Sequence, residues 1–283
     1  MLVDVGDTRL HVTERGAGAL ALLVLHGGPG LDHTMFGSYL DPLGDLARLL
    51  LVDERATGRS EPSAPETWTL ERHAADVEAL AAAMGLERYA VLGHSYGALI
   101  ALQHAVDFPG RPAATIVSSG VPDARFLAEV ERELAQFEPI ELREQVQASW
   151  ANEAHARTQQ DVAAIMVAQL PFHFADPRDP RIDQMLAEMG DAIYGPDVLR
   201  AAATAEYGGI AVEDRLGDVT HPLLVLAGRH DRTCSVAAAQ AIAAGVPGAE
   251  LVVFEHSGHM TFVEENDAYV ATVRAFLSAR AAA

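Results

Sequence analysis

Ser95 stands in Gly93-His94-Ser95-Tyr96-Gly97, a G-x-S-x-G pattern with an apolar run from Tyr89 to Leu92 before it and an Ala/Leu/Ile-rich stretch, Ala98 to Val106, after it. This order reads as strand, tight turn and helix, the context in which a serine hydroxyl is held out as a nucleophile. Glycines belong on either side of it, because a Cβ at either position would collide with neighbouring backbone. Near neutral pH that hydroxyl is a weak nucleophile. It needs an adjacent base, and the base needs a carboxylate to orient it.

Further along the chain the two partners stand in the required order, acid before histidine. Asp231 closes Gly228-Arg229-His230-Asp231, just past the strand-like run Leu223 to Ala227. His259 closes His256-Ser257-Gly258-His259, just past the last strand-like run. Both sit where loops gather at the carboxyl edge of a parallel sheet, the edge that also carries Ser95. His256 is the rival base, but Gly258 gives its neighbour His259 the freedom to turn inward. His26 and His94 are read as braces for their loops.

An acyl-transfer site also needs two backbone donors for the developing oxyanion. One is the N–H of Tyr96. The other comes from His26-Gly27-Gly28-Pro29-Gly30, with Gly28 the choice, since a backbone so bare of side chains can approach a ligand closely. No set of His, Cys, Asp and Glu has metal-ligand spacing, so neither metal nor cofactor is expected.

The elements that must hold these residues alternate. Leu2 to Val5 and Thr8 to Arg15 read as a hairpin around Gly6-Asp7. Leu20 to Leu25, Arg48 to Val52, Tyr89 to Leu92 and Ala114 to Val117 read as buried strands. Leu31 to Leu46 is weakly helical and broken by Pro42. Thr69 caps a helix over Leu70 to Met84, on which Arg72 and His73 are expected to face solvent. The loop Asp53 to Ser60 reads as structural, held by hydrogen bonds and an ion pair. Strands and helices in this order make an α/β fold with a mostly parallel, doubly wound sheet.

From Val121 to about Asp214 the alternation stops. Helical segments are expected over 123–137, 140–157, 160–170, 181–189 and 196–204, punctuated by prolines. Residues 121–214 are therefore an all-helical cap inserted into a core built from residues 1–120 and 215–283. Most of its aromatic and methionine residues are expected in its own core, and a minority on a pocket wall. The sheet resumes at Leu223, continues through a helix over Ser235 to Ala244 and a strand over Glu250 to Phe254, and closes with a helix from Asn266 to Ala281.

Forty acids against twenty bases, every base an arginine, give a formal charge of −20. Such a surface disfavours nucleic acid and anionic membrane as partners. The single cysteine, Cys234, excludes an intramolecular disulfide. Met1 to Asp7 carry no basic segment followed by an apolar one, and no apolar run approaches membrane-spanning length. A cytoplasmic protein with a small-molecule or short-peptide substrate is expected, as monomer or homodimer.

On these residues the chain resembles the α/β-hydrolase superfamily, and within it the proline iminopeptidase group. The resemblance rests on His26-Gly27-Gly28-Pro29-Gly30, Asp53-Glu54-Arg55 with Gly58-Arg59-Ser60, Gly93-His94-Ser95-Tyr96-Gly97, Gly228-Arg229-His230-Asp231 and Ser257-Gly258-His259. It implies a triad of Ser95, Asp231 and His259, oxyanion donors Gly28 and Tyr96, and removal of an N-terminal proline from short peptides. That group recognises a free amine with glutamates, one directly after the catalytic aspartate and one after a Gly-Pro-Asn in the cap. Here Arg232 and Val198 occupy those places, and neither attracts a cation. Glu206 and Glu213 are the cap acids available to compensate. Glu54 and Ala56-Thr57 also depart from the group.

The expectation is thus a serine hydrolase acting first on a small ester, lactone or amide, and second on an N-terminal proline peptide. An acyltransferase and a low-turnover ligand receptor use the same residues. A haloalkane dehalogenase would need a carboxylate in place of Ser95.

Overall fold

The computed structural model describes residues 1–281. Strands β1 (Leu2–Asp4) and β2 (Arg9–Arg15) form the expected hairpin. There follow β3 (Leu20–Leu25), β4 (Ala47–Asp53), helix α1 (Leu70–Ala83), β5 (Tyr89–His94), α2 (Tyr96–Asp107) and β6 (Ala114–Ser118). Five helices come next: α3 (Glu129–Gln136), α4 (Ile140–Asn152), α5 (Gln159–His173), α6 (Arg181–Met189) and α7 (Pro196–Thr204). The chain then returns through β7 (Leu223–Gly228), α8 (Val236–Gly245), β8 (Glu250–Phe254), α9 (Thr261–Glu264) and α10 (Asn266–Ala281).

All eight strands lie in one sheet of order β1-β2-β4-β3-β5-β6-β7-β8. It is parallel from β4 through β8, and β2 joins β4 antiparallel. Strands β3, β5, β6 and β7 are buried along their whole length because both faces are covered. Alternate residues then feed opposite cores. Leu23, Leu25, Val91 and Val117 pack on the face of α1, α2 and α8. Leu22, Val24, Leu92 and Ile116 pack on the face of α10.

Between β6 and β7 the only strand-type pairing among the described residues is a single bridge, Asp123 with Ala211. Flanking it, Ala124 N–H donates to Ile210 and Val212 N–H to Pro122, at 2.8 and 2.9 Å. The two ends of the helical segment are thereby clamped together. Phe137, Val146 and Phe172 make a small core of their own there.

Three local expectations change. His73 does not face solvent: it is buried on the inner side of α1, its ring edge-on to Tyr96. The 3.6-residue period puts position 73 in line with Val77 and Leu80, both buried. Residues 31–46 form no continuous helix, only 3₁₀ turns at His33–Phe36 and Asp41–Leu43, the first ended by Gly37 at φ 43°. Helix α5 does not stop before Pro171 but continues through it to His173. Proline removes one N–H and still permits helical φ, so one more turn forms.

Candidate active site

Ser95 sits at φ 55° and ψ −117° between β5 and α2, a strained conformation for a residue with a side chain. Its hydroxyl does not cap α2. The flanking glycines are there for the expected reason. A Cβ on Gly93 would lie 2.0 Å from the Gly97 oxygen, and one on Gly97 would lie 2.4 Å from the Leu25 oxygen.

The other two residues of the expected triad meet one another. Asp231 Oδ2 accepts from His259 Nδ1 at 2.8 Å. Oδ1 of the same carboxylate accepts from Thr233 N, Cys234 N and the Thr233 hydroxyl, each at 2.8 Å. Burial pushes the Asp231 carboxyl up. The adjacent His259 and the backbone donors overcome it and bring it down to about 2. A proton on Nδ1, facing Asp231, leaves Nε2 with its lone pair; this tautomer follows from the hydrogen-bond network.

Ser95 and His259 line one cavity of about 370 Å³, together with Gly28 and Tyr96. Tyr96 N heads α2, and neither that amide nor that of Gly28 has an acceptor among the described residues. The glycine loop presses close: a Cβ on Gly27 would lie 2.9 Å from Ser95 Cβ. Two free amides lining the cavity that Ser95 lines are donors of the kind an oxyanion needs. Cys234 also lines the cavity, but burial pushes its thiol well up.

His256, the rival base, is exposed and off the cavity. His26 and His94 brace loops as expected. His26 Nε2 lies 3.2 Å from both the Thr57 hydroxyl and Glu54 Oε2, and His94 Nδ1 lies 3.3 Å from the Ser118 hydroxyl. Burial drives both imidazoles down, so both rings are neutral. Asp53 accepts from His33 N, His33 Nδ1 and Arg59 N. Arg55, fully buried, grips Asp76 with two hydrogen bonds of 2.7 Å. The loop after β4 is held as its composition implied.

The fold also gathers residues that lie far apart in the chain. His11, His33 and Asp53 come within 4.8 Å of one another, as do Asp231, Cys234 and His259. In both groups the carboxylate already accepts from imidazole and backbone N–H donors.

Several cavity residues escape sequence reasoning. His173, at the end of α5, puts its ring 5.0 Å from that of His259, and burial brings its imidazole down to about 3. Glu153 belongs to a 3₁₀ turn, Glu153–His155, that ends the helix expected to run on to residue 157. Glu153 itself keeps helical φ and ψ of −55° and −46° and continues the buried face of α4 set by Val146 and Ser149, where Gln169 and Tyr207 donate to it. Neither had a local signal beyond being polar on a helix. Glu206 is exposed, and Glu213 pairs with Arg125 at the surface; neither lines the cavity.

Arg232 does not point into the cavity. It donates to the carbonyls of Phe172, Phe174 and Ala175 and lies over the Phe137 ring. Val198 is buried off the cavity wall.

This sheet order and elbow define a hydrolase architecture. The chain belongs to the alpha/beta hydrolase fold family, whose sequence model matches residues 21–266. It is 27% identical over 265 residues to a proline iminopeptidase of Clostridium botulinum, spanning 91% of this chain and 89% of that one. A solved proline iminopeptidase from Mycobacterium smegmatis is 25% identical, with a TM-score of 0.76 over 99% of this chain and 98% of that one. An alpha/beta fold family hydrolase from Bacillus anthracis superposes with a TM-score of 0.81 at 20% identity, covering 98% of each chain. Among the described residues no helix is long and apolar enough to cross a membrane.

Proposed function

We propose that the chain is a serine hydrolase of small esters, lactones or amides, working through an acyl-enzyme on Ser95. The observation that carries this is the 2.8 Å Asp231–His259 pair opening on the same cavity as the strained Ser95. His259 Nε2 takes the proton as Ser95 Oγ bonds to the substrate carbonyl carbon. The Gly28 and Tyr96 amides hold the oxyanion. The intermediate then collapses, and the leaving group departs with the proton from His259. A water, deprotonated by the same nitrogen, cleaves the acyl ester and restores Ser95. Asp231 holds the ring and stabilises its cationic form throughout. Helices α3 to α7 act as a cap that covers the acyl group.

A second reading, removal of an N-terminal proline, is supported by the names of the relatives. Set against it, the positions that would supply amine-binding acids are Arg232, committed to three carbonyls, and the buried Val198.

The test is initial rates on a short-chain p-nitrophenyl ester and on proline p-nitroanilide, for the native protein and Ser95→Ala. Ester release that disappears with Ser95 is the expected result. Faster Ser95-dependent release from the anilide moves the peptidase reading to first place. Full turnover by Ser95→Ala overturns both. A single stoichiometric burst with no steady state indicates a low-turnover receptor.

A further inference from the structure

Helix α5 presents Val162, Ile165, Met166, Gln169 and His173 to the cavity, at the spacing of one helical face. The cavity therefore runs along this helix, away from the His173–His259 contact. Gln169 lies four residues before His173, about 6 Å along the axis at 1.5 Å per residue. Apolar Met166, Ile165 and Val162 lie beyond it.

The polar step in this apolar wall is built. Gln169 Nε2 donates to Glu153 Oε1 at 2.6 Å, and the Tyr207 hydroxyl donates to Glu153 Oε2. Glu153 and Gln169 are 4% and 5% exposed, so the group is shielded from bulk water. No arginine lines this cavity among the described residues, and the nearby His173 is neutral. A carboxyl group in such a place is costly to keep ionised without a counter-charge. Burial accordingly pushes the Glu153 carboxyl up, against the opposing effect of its two donors.

We propose that Glu153, Gln169 and Tyr207 form a specificity subsite for an uncharged hydrogen-bonding group of the substrate, a carbonyl, hydroxyl or amide set about one helical turn from the bond that is cleaved. A carboxyl whose charged form burial disfavours, a carboxamide and a phenol together offer donors and acceptors to such a group. The hydrocarbon beyond it lies against Met166 and Ile165. This rests on the reading of Ser95 as the nucleophile. An ammonium group is the competing ligand, and it would require the Glu153 carboxylate to be charged.

Glu153→Gln separates the two, because glutamine is near in shape, keeps the hydrogen-bonding capacity and cannot carry charge. The probes are p-nitrophenyl hexanoate, its analogue with a ketone near the chain end, and proline p-nitroanilide. Native protein should favour the keto ester over the plain one in kcat/KM by on the order of tenfold, as one net hydrogen bond allows. Glu153→Gln should keep that ratio, and Gln169→Leu and Glu153→Ala should bring it close to one, mainly through KM. Thermal melts of each variant distinguish lost contacts from lost folding. Equal rates on the two esters in native protein overturn the subsite and leave the hydrolase reading standing. Anilide turnover that is lost in Glu153→Gln overturns the uncharged ligand in favour of an ammonium. Absence of Ser95-dependent release from every probe overturns the hydrolase reading itself, and the subsite with it.

Discussion

The backbone N–H of His259 donates to the carbonyl of His173 at 2.7 Å, while the two rings lie 5.0 Å apart. The loop after β8 is thus fastened to the last turn of α5. Glu264 reinforces the joint: its two oxygens accept from Ala175 N and Gly258 N, each at 2.8 Å. Arg232 makes a third tie from the loop after β7 to the carbonyls of 172, 174 and 175. The candidate base is held jointly by the sheet and by the helices above it.

Asp231→Asn tests the orienting role of the carboxylate. The amide can present N–H toward His259 Nδ1, which stabilises the wrong tautomer and leaves Nε2 protonated. Ester turnover should fall by on the order of 10⁴ in kcat, with little change in KM. Steady-state kinetics on the short-chain ester provide the check, and a loss below tenfold contradicts the assignment.

Arg232 serves as a strut, so its removal should cost stability. Arg232→Met leaves three carbonyls without their donor and removes a cation stacked on Phe137. A loss of about 2–4 kcal/mol is expected in urea unfolding. Arg232→Glu should destabilise similarly without raising release from proline p-nitroanilide. A gain of that activity would show that this side chain reaches the substrate amine.

Gly93→Ala puts a methyl 2.0 Å from the Gly97 carbonyl oxygen, where backbone cannot retreat without shifting β5 or α2. Overpacking of this kind costs about 1–3 kcal/mol or more. The elbow should distort with it, so the melting temperature and the ester rate should fall together. Retention of both would mean that the turn has slack the geometry does not suggest.

Stability should decline on acidification from about pH 6.5. His73 and His173 are held at about 3 by burial, first of all, so the unfolded chain binds protons there that the native one refuses. That contribution is fully present above the unfolded histidine value and is lost as pH falls through the window toward 3. Asp231 and Asp53, each at about 2 despite burial, add a further loss as pH falls below the unfolded carboxyl value of about 4. Glu264 opposes this trend: burial raises it to about 7, so its effect favours the native state as pH falls between about 7 and 4. Melting temperature against pH should show the decline, and His73→Leu should flatten it. An unchanged slope in that variant removes His73 from the account.

The primary structure determined most of the sheet and the candidate residues on its carboxyl edge. Buried parallel strands write themselves as unbroken apolar runs, and Leu20–Leu25 could be little else. A strained turn between strand and helix demands glycine at Gly93 and Gly97, so Ser95 is legible from its neighbours. Asp231 and His259 were legible because each stands in the loop that follows such a strand.

Tertiary structure alone decided what surrounds them. His73 shares its helical face with Val77 and Leu80, a period the sequence carries, but its edge-on contact with Tyr96 came only with folding. Arg232, read as a charge near the substrate, spends its donors on carbonyls exposed at the end of α5. Glu153 reached the cavity because the face of α4 that buries Val146 and Ser149 packs inward, which an acidic residue type does not reveal. Its two donors, Gln169 and Tyr207, lie 16 and 54 residues further along the chain, so only folding could bring the three together.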